Sequence, residues 1–111
     1  MTDTTKTRQS EQLFLVRHYG EIDYATAIAT PTINLRESRV EVPAHAVEVV
    51  AGPFPIRTES SDDPNYPKMN RSVITTPKGE VAWSNAASAY VLPSGERMTC
   101  LSAAIATTIG A

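Results

Sequence analysis

Few side chains in this 111-residue chain are suited to chemistry: two histidines, one cysteine and some short acidic clusters. His18, Glu21 and Asp23 come first. On a strand Glu21 and Asp23 face the same side, and with an imidazole beside them they have the donor types of a transition-metal site. The reading preferred for them is a solvated strand face near a turn. His45, after Pro43-Ala44, reads as a surface or interface side chain, and nothing in the sequence joins it to Cys100 as a dyad. Cys100, between Thr99 and Leu101, reads as a small buried hydrophobe. A single cysteine excludes an intramolecular disulfide and a cysteine-based zinc site. Asp62-Asp63-Pro64-Asn65 offers oxygen ligands but lacks the spacing and glycine of a calcium loop, so it is taken as turn chemistry. The five glycines are isolated, at 20, 52, 79, 95 and 110, so no phosphate-cradling loop and no Gly-x-Ser-x-Gly elbow is present. The expectation is therefore no catalytic, cofactor-binding or metal-ligating residue, and no cofactor.

Leu13-Phe14-Leu15-Val16-Arg17-His18-Tyr19-Gly20-Glu21 resembles the opening of the histidine phosphatases, the phosphoglycerate-mutase-like enzymes. Their first strand runs through Leu-Val into Arg-His-Gly-Glu. The resemblance implies His18 as phosphoryl acceptor, Arg17 as phosphate ligand and Glu21 as a neighbour, within a larger α/β fold. A neutral imidazole attacks phosphorus while a guanidinium holds the phosphoryl oxygens. The match covers nine residues. Tyr19 stands between His18 and Gly20, and His45 is the one other histidine for a family that uses two. An enzyme remnant around His18 is kept as the second alternative.

Composition sets the scale of what must position these groups. With 10 Lys+Arg against 12 Asp+Glu, the net charge of −2 gives no basic surplus for phosphate neutralisation, so no nucleic-acid partner is expected. No apolar run is long enough to span a membrane, and Met1-Thr2-Asp3-Thr4-Thr5-Lys6 lacks the apolar core of a signal peptide. No membrane association and no secretion by that route are expected. Of the apolar residues 14 are Ala, while Val, Ile, Leu and Phe number 23, near the level at which chains stop folding alone. The 13 Thr and 8 Pro favour strands over long helices. A small β-rich domain with a thin core follows, of the kind completed by oligomerisation or a partner surface.

Along the chain, residues 1–12 carry no large apolar side chain after the initiator and read as an extended N-terminal arm, with 13–111 as one β-rich domain. Leu13-Phe14-Leu15-Val16 reads as a buried strand. Ile22, Tyr24, Thr26 and Ile28 alternate with Asp23, Ala25, Ala27 and Ala29, a strand with one large-residue and one small-residue face. Ile33/Leu35 and Val40/Val42 differ in phase across Arg36-Glu37-Ser38-Arg39, which predicts a hairpin with a mixed-charge tip. Val47, Val49 and Val50 give a further strand, and Gly52-Pro53-Phe54-Pro55 reads as a rigid extended connector. Residues 60–70 are turn formers and predict a long loop bearing Tyr66, where partner contact tends to occur. Thr76-Pro77-Lys78-Gly79 and Pro93-Ser94-Gly95-Glu96 predict two more hairpins, with Trp83 and Tyr90 as core anchors. From Leu101 to Ile109 helical and alternating spacing coexist. The β-branched Thr107, Thr108 and Ile109 put a strand slightly ahead of a helix.

The fold expected is all-β: a small antiparallel sandwich or barrel of about seven to eight strands, with the N-terminal arm and possibly one C-terminal helix. The function expected is that of a non-enzymatic structural or assembly protein, a viral particle component such as a capsid decoration or small head–tail or tail protein. It would be located in the virion or host cytoplasm, with shell or tail subunits as partners, as a homo-oligomer. Thr4, Thr5 and Thr7 in the arm, Arg36 and Arg39 at the hairpin tip and Tyr66 in the loop are the residues expected to touch protein partners. Lys78-Gly79-Glu80-Val81-Ala82-Trp83, followed by Ala86-Ala87 and Val91-Leu92, is similar to a stretch of lambdoid capsid decoration proteins. The first alternative is a small soluble inhibitor or ligand-binding protein, such as a phage counter-defence factor.

Overall fold

The apolar run Leu13–Val16 lies in a strand buried on both faces, and the rest of the chain is built around it. The computed structural model describes residues 12–26 and 32–111. In it β1 (Gln12–His18) pairs antiparallel with β2 (Glu21–Thr26) on one side and with β5 (Glu48–Glu59) on the other. Leu13 and Leu15 point into the main core with Phe54, Ile74, Val81, Leu92, Leu101 and Ile105. Phe14 and Val16 point the other way, against Leu35 and Val42 of a separate hairpin made of β3 (Thr32–Leu35) and β4 (Val40–Pro43). The strand expected from the run is thus confirmed, and its unbroken apolar character follows from having no solvent face.

Seven strands form one antiparallel sheet in the order β2-β1-β5-β6-β7-β8-β9, curled into a half-barrel. Here β6 is Arg71–Thr76, β7 Gly79–Ser84, β8 Ala89–Val91 and β9 Arg97–Met98. The hairpins expected at 36–39, 76–79 and 93–96 are all present. With β3 and β4, nine strands are found among the described residues, where about seven to eight short ones were expected from the pattern.

Three local readings need correction. First, Gly52-Pro53-Phe54-Pro55 is no connector: β5 runs through it for 12 residues. Its register against β1 slips twice, between Leu13↔Phe54 and Leu15↔Ala51 and again before Val16↔Val49. These two bulges take up the irregularity, and the extended φ that proline imposes suits a strand. Gly52 is required at the first bulge. Its φ is +123°, and a Cβ there would stand 3.0 Å from the Leu13 carbonyl oxygen and 3.1 Å from Phe14 Cα.

Second, the C-terminal segment is a helix, α1 (Leu101–Ile109), not a strand. It fills the concave side of the half-barrel with Leu101, Ala104 and Ile105. The helix penalty of the β-branched residues is only tenths of a kcal/mol each, whereas burying one Leu or Ile contributes about 1.5–3 kcal/mol. Gly110, at φ +79°, closes the helix, its N–H donating to the Ala106 carbonyl.

Third, Trp83 is half-buried and is not among the fully buried core residues. It meets Tyr90 edge-on at 4.8 Å, and Tyr90 in turn packs against the core. The chain enters β1 at Gln12, one residue inside the expected arm, and Thr4, Thr5 and Thr7 lie outside the described residues.

Candidate functional site

The turn 36–39 is set by a buried carboxylate on the neighbouring strand. Asp23 on β2 is 1% exposed. Its Oδ1 accepts from the Tyr24 N–H at 2.6 Å and the Glu37 N–H at 3.0 Å, and its Oδ2 from the Ser38 N–H at 2.9 Å. Burial alone would raise its pKa. The hydrogen bonds from Ser38, Glu37 and Tyr24 outweigh burial and hold it below the ordinary value of 3.8. The Arg36 N–H adds a bond to the Tyr24 carbonyl, and Arg39 closes the turn at φ +57° with its N–H on the Leu35 carbonyl.

So fixed, the turn delivers Glu37 to the start of α1. Glu37 Oε1 accepts from the Leu101 N–H at 2.6 Å and the Ser102 N–H at 3.2 Å. Its Oε2 accepts from the Ser102 hydroxyl and from the Cys100 thiol, the latter at 3.2 Å. Cys100 occupies the N-cap position and makes no side-chain cap bond itself, so the cap comes from 64 residues away. The negative charge also complements the helix dipole. Cys100 is therefore exposed at a joint, not buried as its flanking residues had implied.

Two tyrosines border this joint. Burial, then the charge of Glu37, pushes the Tyr24 hydroxyl up, with Arg36 opposing. Burial, then Tyr24, Glu37 and Cys100, pushes Tyr90 up to about 12. Both are neutral hydrogen-bonding groups at neutral pH. Arg36 and Arg39 border a cleft of about 400 Å³ together with Tyr24, Asn34 and Glu41. A second cleft, of about 570 Å³, is lined by Cys100, Arg97 and Met98.

The 60–70 loop is fixed by a different carboxylate. Asp62 Oδ2 accepts from the Ser84 hydroxyl at 2.6 Å and its Oδ1 from the Asn85 N–H at 2.8 Å. The Ser84 bond, opposed by some desolvation and helped by the Asn85 N–H, lowers the Asp62 pKa. Asn85 Nδ2 donates to the Ser61 hydroxyl and the Met69 carbonyl, and Arg71 Nη1 donates to the Trp83 carbonyl. The backbone is thereby tied down while Tyr66, 59% exposed, and Met69, 53% exposed, face outward.

The remaining candidates separate. Tyr19 (φ +48°) and Gly20 (φ +80°) form the two-residue turn between His18 and Glu21, the double positive φ of a type I′ hairpin. After His18 the chain thus reverses into β2 within an antiparallel sheet, not the α/β fold that the phosphatase resemblance implies. Arg17 pairs with Glu48 at 3.5 Å, and Asp23 is committed to the 36–39 turn. Both ring nitrogens of His18 lack a hydrogen-bond partner among the described residues. No three His, Cys, Asp or Glu side chains among the described residues gather to hold a metal ion. No described helix is long and apolar enough to cross a membrane.

Sequence reasoning marked Arg36, Arg39 and Tyr66 but missed Glu37 and Asp23 as structural ties. An acidic residue inside a four-residue hairpin tip carries no local sign that it will cap a distant helix. No family model, no curated protein and no solved structure matches this chain.

Proposed function

We propose that this protein is a non-enzymatic assembly component working through protein–protein contacts, with a viral particle as its setting, as a capsid decoration or small head–tail or tail protein. The observation that carries this reading is the 60–70 loop. It exposes an aromatic and a methionine on a backbone already fixed by Asp62, Ser61 and Asn85. Aromatic anchors dominate contact energies, and a prefixed backbone lowers the entropy lost on association. The Arg36/Arg39 tip is held by the buried Asp23 and offers cationic groups to an acidic partner surface. The virion setting is supported by the Thr-, Ala- and Pro-rich composition and the thin core.

The test is sedimentation of the full chain in extracts of its native source. The expected result is migration with assemblies far heavier than its own 12.0 kDa. The double change Tyr66→Ser, Met69→Ser should return it to the light fractions. A chain that sediments alone overturns the reading. That outcome would favour the ligand-binding alternative, for which the apolar cleft of about 470 Å³ beside Phe54 and Ile109 speaks, being of ligand size.

A further inference from the structure

The tip that turns Glu37 inward carries two cations that stay outside. Arg36 and Arg39 flank Glu37-Ser38, whose N–H groups are held by the buried Asp23. Both arginines are exposed, and both line the cleft of about 400 Å³ with Tyr24, Asn34 and Glu41. By contrast Arg17 is paired with Glu48, Arg57 with Glu59 and Glu80, and Arg71 donates to the Ser60 and Trp83 carbonyls. Among the described residues no carboxylate forms an ion pair with Arg36 or Arg39. The two acids behind them are committed elsewhere. Asp23 accepts backbone N–H groups of β2 and the tip, and Glu37 accepts from the first residues of α1.

Charge and geometry together define what this cleft takes. A guanidinium presents a planar fork that matches a carboxylate through two parallel hydrogen bonds. The Arg36 side chain also bonds the Tyr24 hydroxyl, which steadies it, and that hydroxyl keeps its own proton at neutral pH. Asn34 stands opposite Glu41 across the β3–β4 pair and adds a carboxamide donor to the lining. Two guanidiniums against the one Glu41 carboxylate leave the cleft a single surplus positive charge. One carboxylate matches that surplus. A phosphoryl group, at about −1.5 to −2, exceeds it and meets Glu41. We propose that the cleft binds one carboxylate of a partner chain, an Asp or Glu side chain seated between Arg36 and Arg39. The inference rests on the assembly reading and deepens it by naming the chemistry that meets the tip. Because Asp23 fixes the tip beforehand, little backbone freedom is lost on binding.

Two measurements on the full chain test this. In the first, N-acetylglutamate N-methylamide, a blocked amino acid with one carboxylate, is titrated while the amide signals of Glu37 and Ser38 are followed by NMR. Saturation on the order of millimolar is expected, with the blocked glutamine analogue and inorganic phosphate each about tenfold weaker or more. Arg36→Gln and Arg39→Gln should each weaken the blocked glutamate about tenfold, with circular dichroism unchanged because both residues are exposed. A glutamine analogue or phosphate that binds as well as the glutamate overturns the proposal, and so does binding indifferent to both substitutions. In the second, the Arg36→Gln, Arg39→Gln double variant is sedimented in extracts of the native source. It should leave the heavy fractions that hold the wild-type chain. A double variant that stays in them overturns the proposal and leaves the assembly reading standing on Tyr66. A wild-type chain that binds the blocked glutamate yet sediments alone overturns both the assembly reading and a partner chain as the source of the carboxylate.

Discussion

The hairpin tip at 36–39 and the loop at 60–70 are both irregular and polar, and each is held by one aspartate. The difference lies in where that aspartate is and what the segment does once held. Asp23 is buried and accepts three backbone N–H groups, and the tip it fixes turns Glu37 inward to cap α1. Asp62 is exposed and accepts from Ser84 and Asn85, and the loop it fixes turns Tyr66 and Met69 outward. One carboxylate joins parts of the fold to each other. The other fixes a loop whose aromatic and methionine side chains face solvent. The same chemical device thus serves cohesion when buried and presentation when exposed, because an unsatisfied buried donor is far more costly than one that water can reach.

Asp23→Ala strips the acceptor from three backbone donors, two of them in the tip, and should cost on the order of 3–5 kcal/mol in urea unfolding. A loss near zero would mean that water reaches the tip and that the contrast is false. Acid sharpens the same point. The native carboxyl titrates below its ordinary value, so its contribution is full above about pH 4 and is lost as pH falls through the native pKa. Asp23→Asn should flatten that acid limb of a stability–pH curve.

On the alkaline side Tyr90 tests the burial of the joint. With a native pKa of about 12 its protonated form is the stabilised one, so stability is intact below pH 10 and declines up to about 12. Tyr90→Phe should remove that decline, which pH-jump fluorescence would read. Glu37→Ala should come next in size, about 1–2 kcal/mol as for other lost helix caps. It should speed amide exchange at Leu101 and Ser102 ahead of the strands. Asp62→Ala should have the smallest effect on global stability. It should instead raise exchange at Asn85 and through 60–70, leaving the melting temperature close to wild type. A large drop there would make the loop a structural element like the tip.

Much of the fold was legible because the deciding interactions are local. Thr76 and Gly79 bracket the two-residue turn Pro77-Lys78, with the Thr76 hydroxyl donating to the Gly79 carbonyl and accepting from the Lys78 N–H. All of these residues are visible within four positions. Elsewhere the deciding partner was distant. The alternation of Asp23 and Ala25 marked a small-residue face of β2 but not that this face is the buried one, which depends on the tip folding over it. The preference of Thr107, Thr108 and Ile109 for a strand was real but weak against a concave sheet that needed filling. The prolines of β5 misled because their effect depends on β1, whose register supplies the bulges. The exposure of Tyr66 in a long polar loop was legible from composition alone. Glu37 was not, since its partners lie 63 to 65 residues further on.

That separation has a meaning in time as well as in space. A ribosome adding roughly 5–20 residues per second makes Glu37 about 3–13 s before it makes Leu101. For that interval the carboxylate has no helix to hold, and the concave side of the nascent sheet has no stopper. The apolar faces of β1 and β5 are then open to whatever else is in reach. A chain built this way is exposed to association during its own synthesis, and the arrival of nine residues ends the exposure.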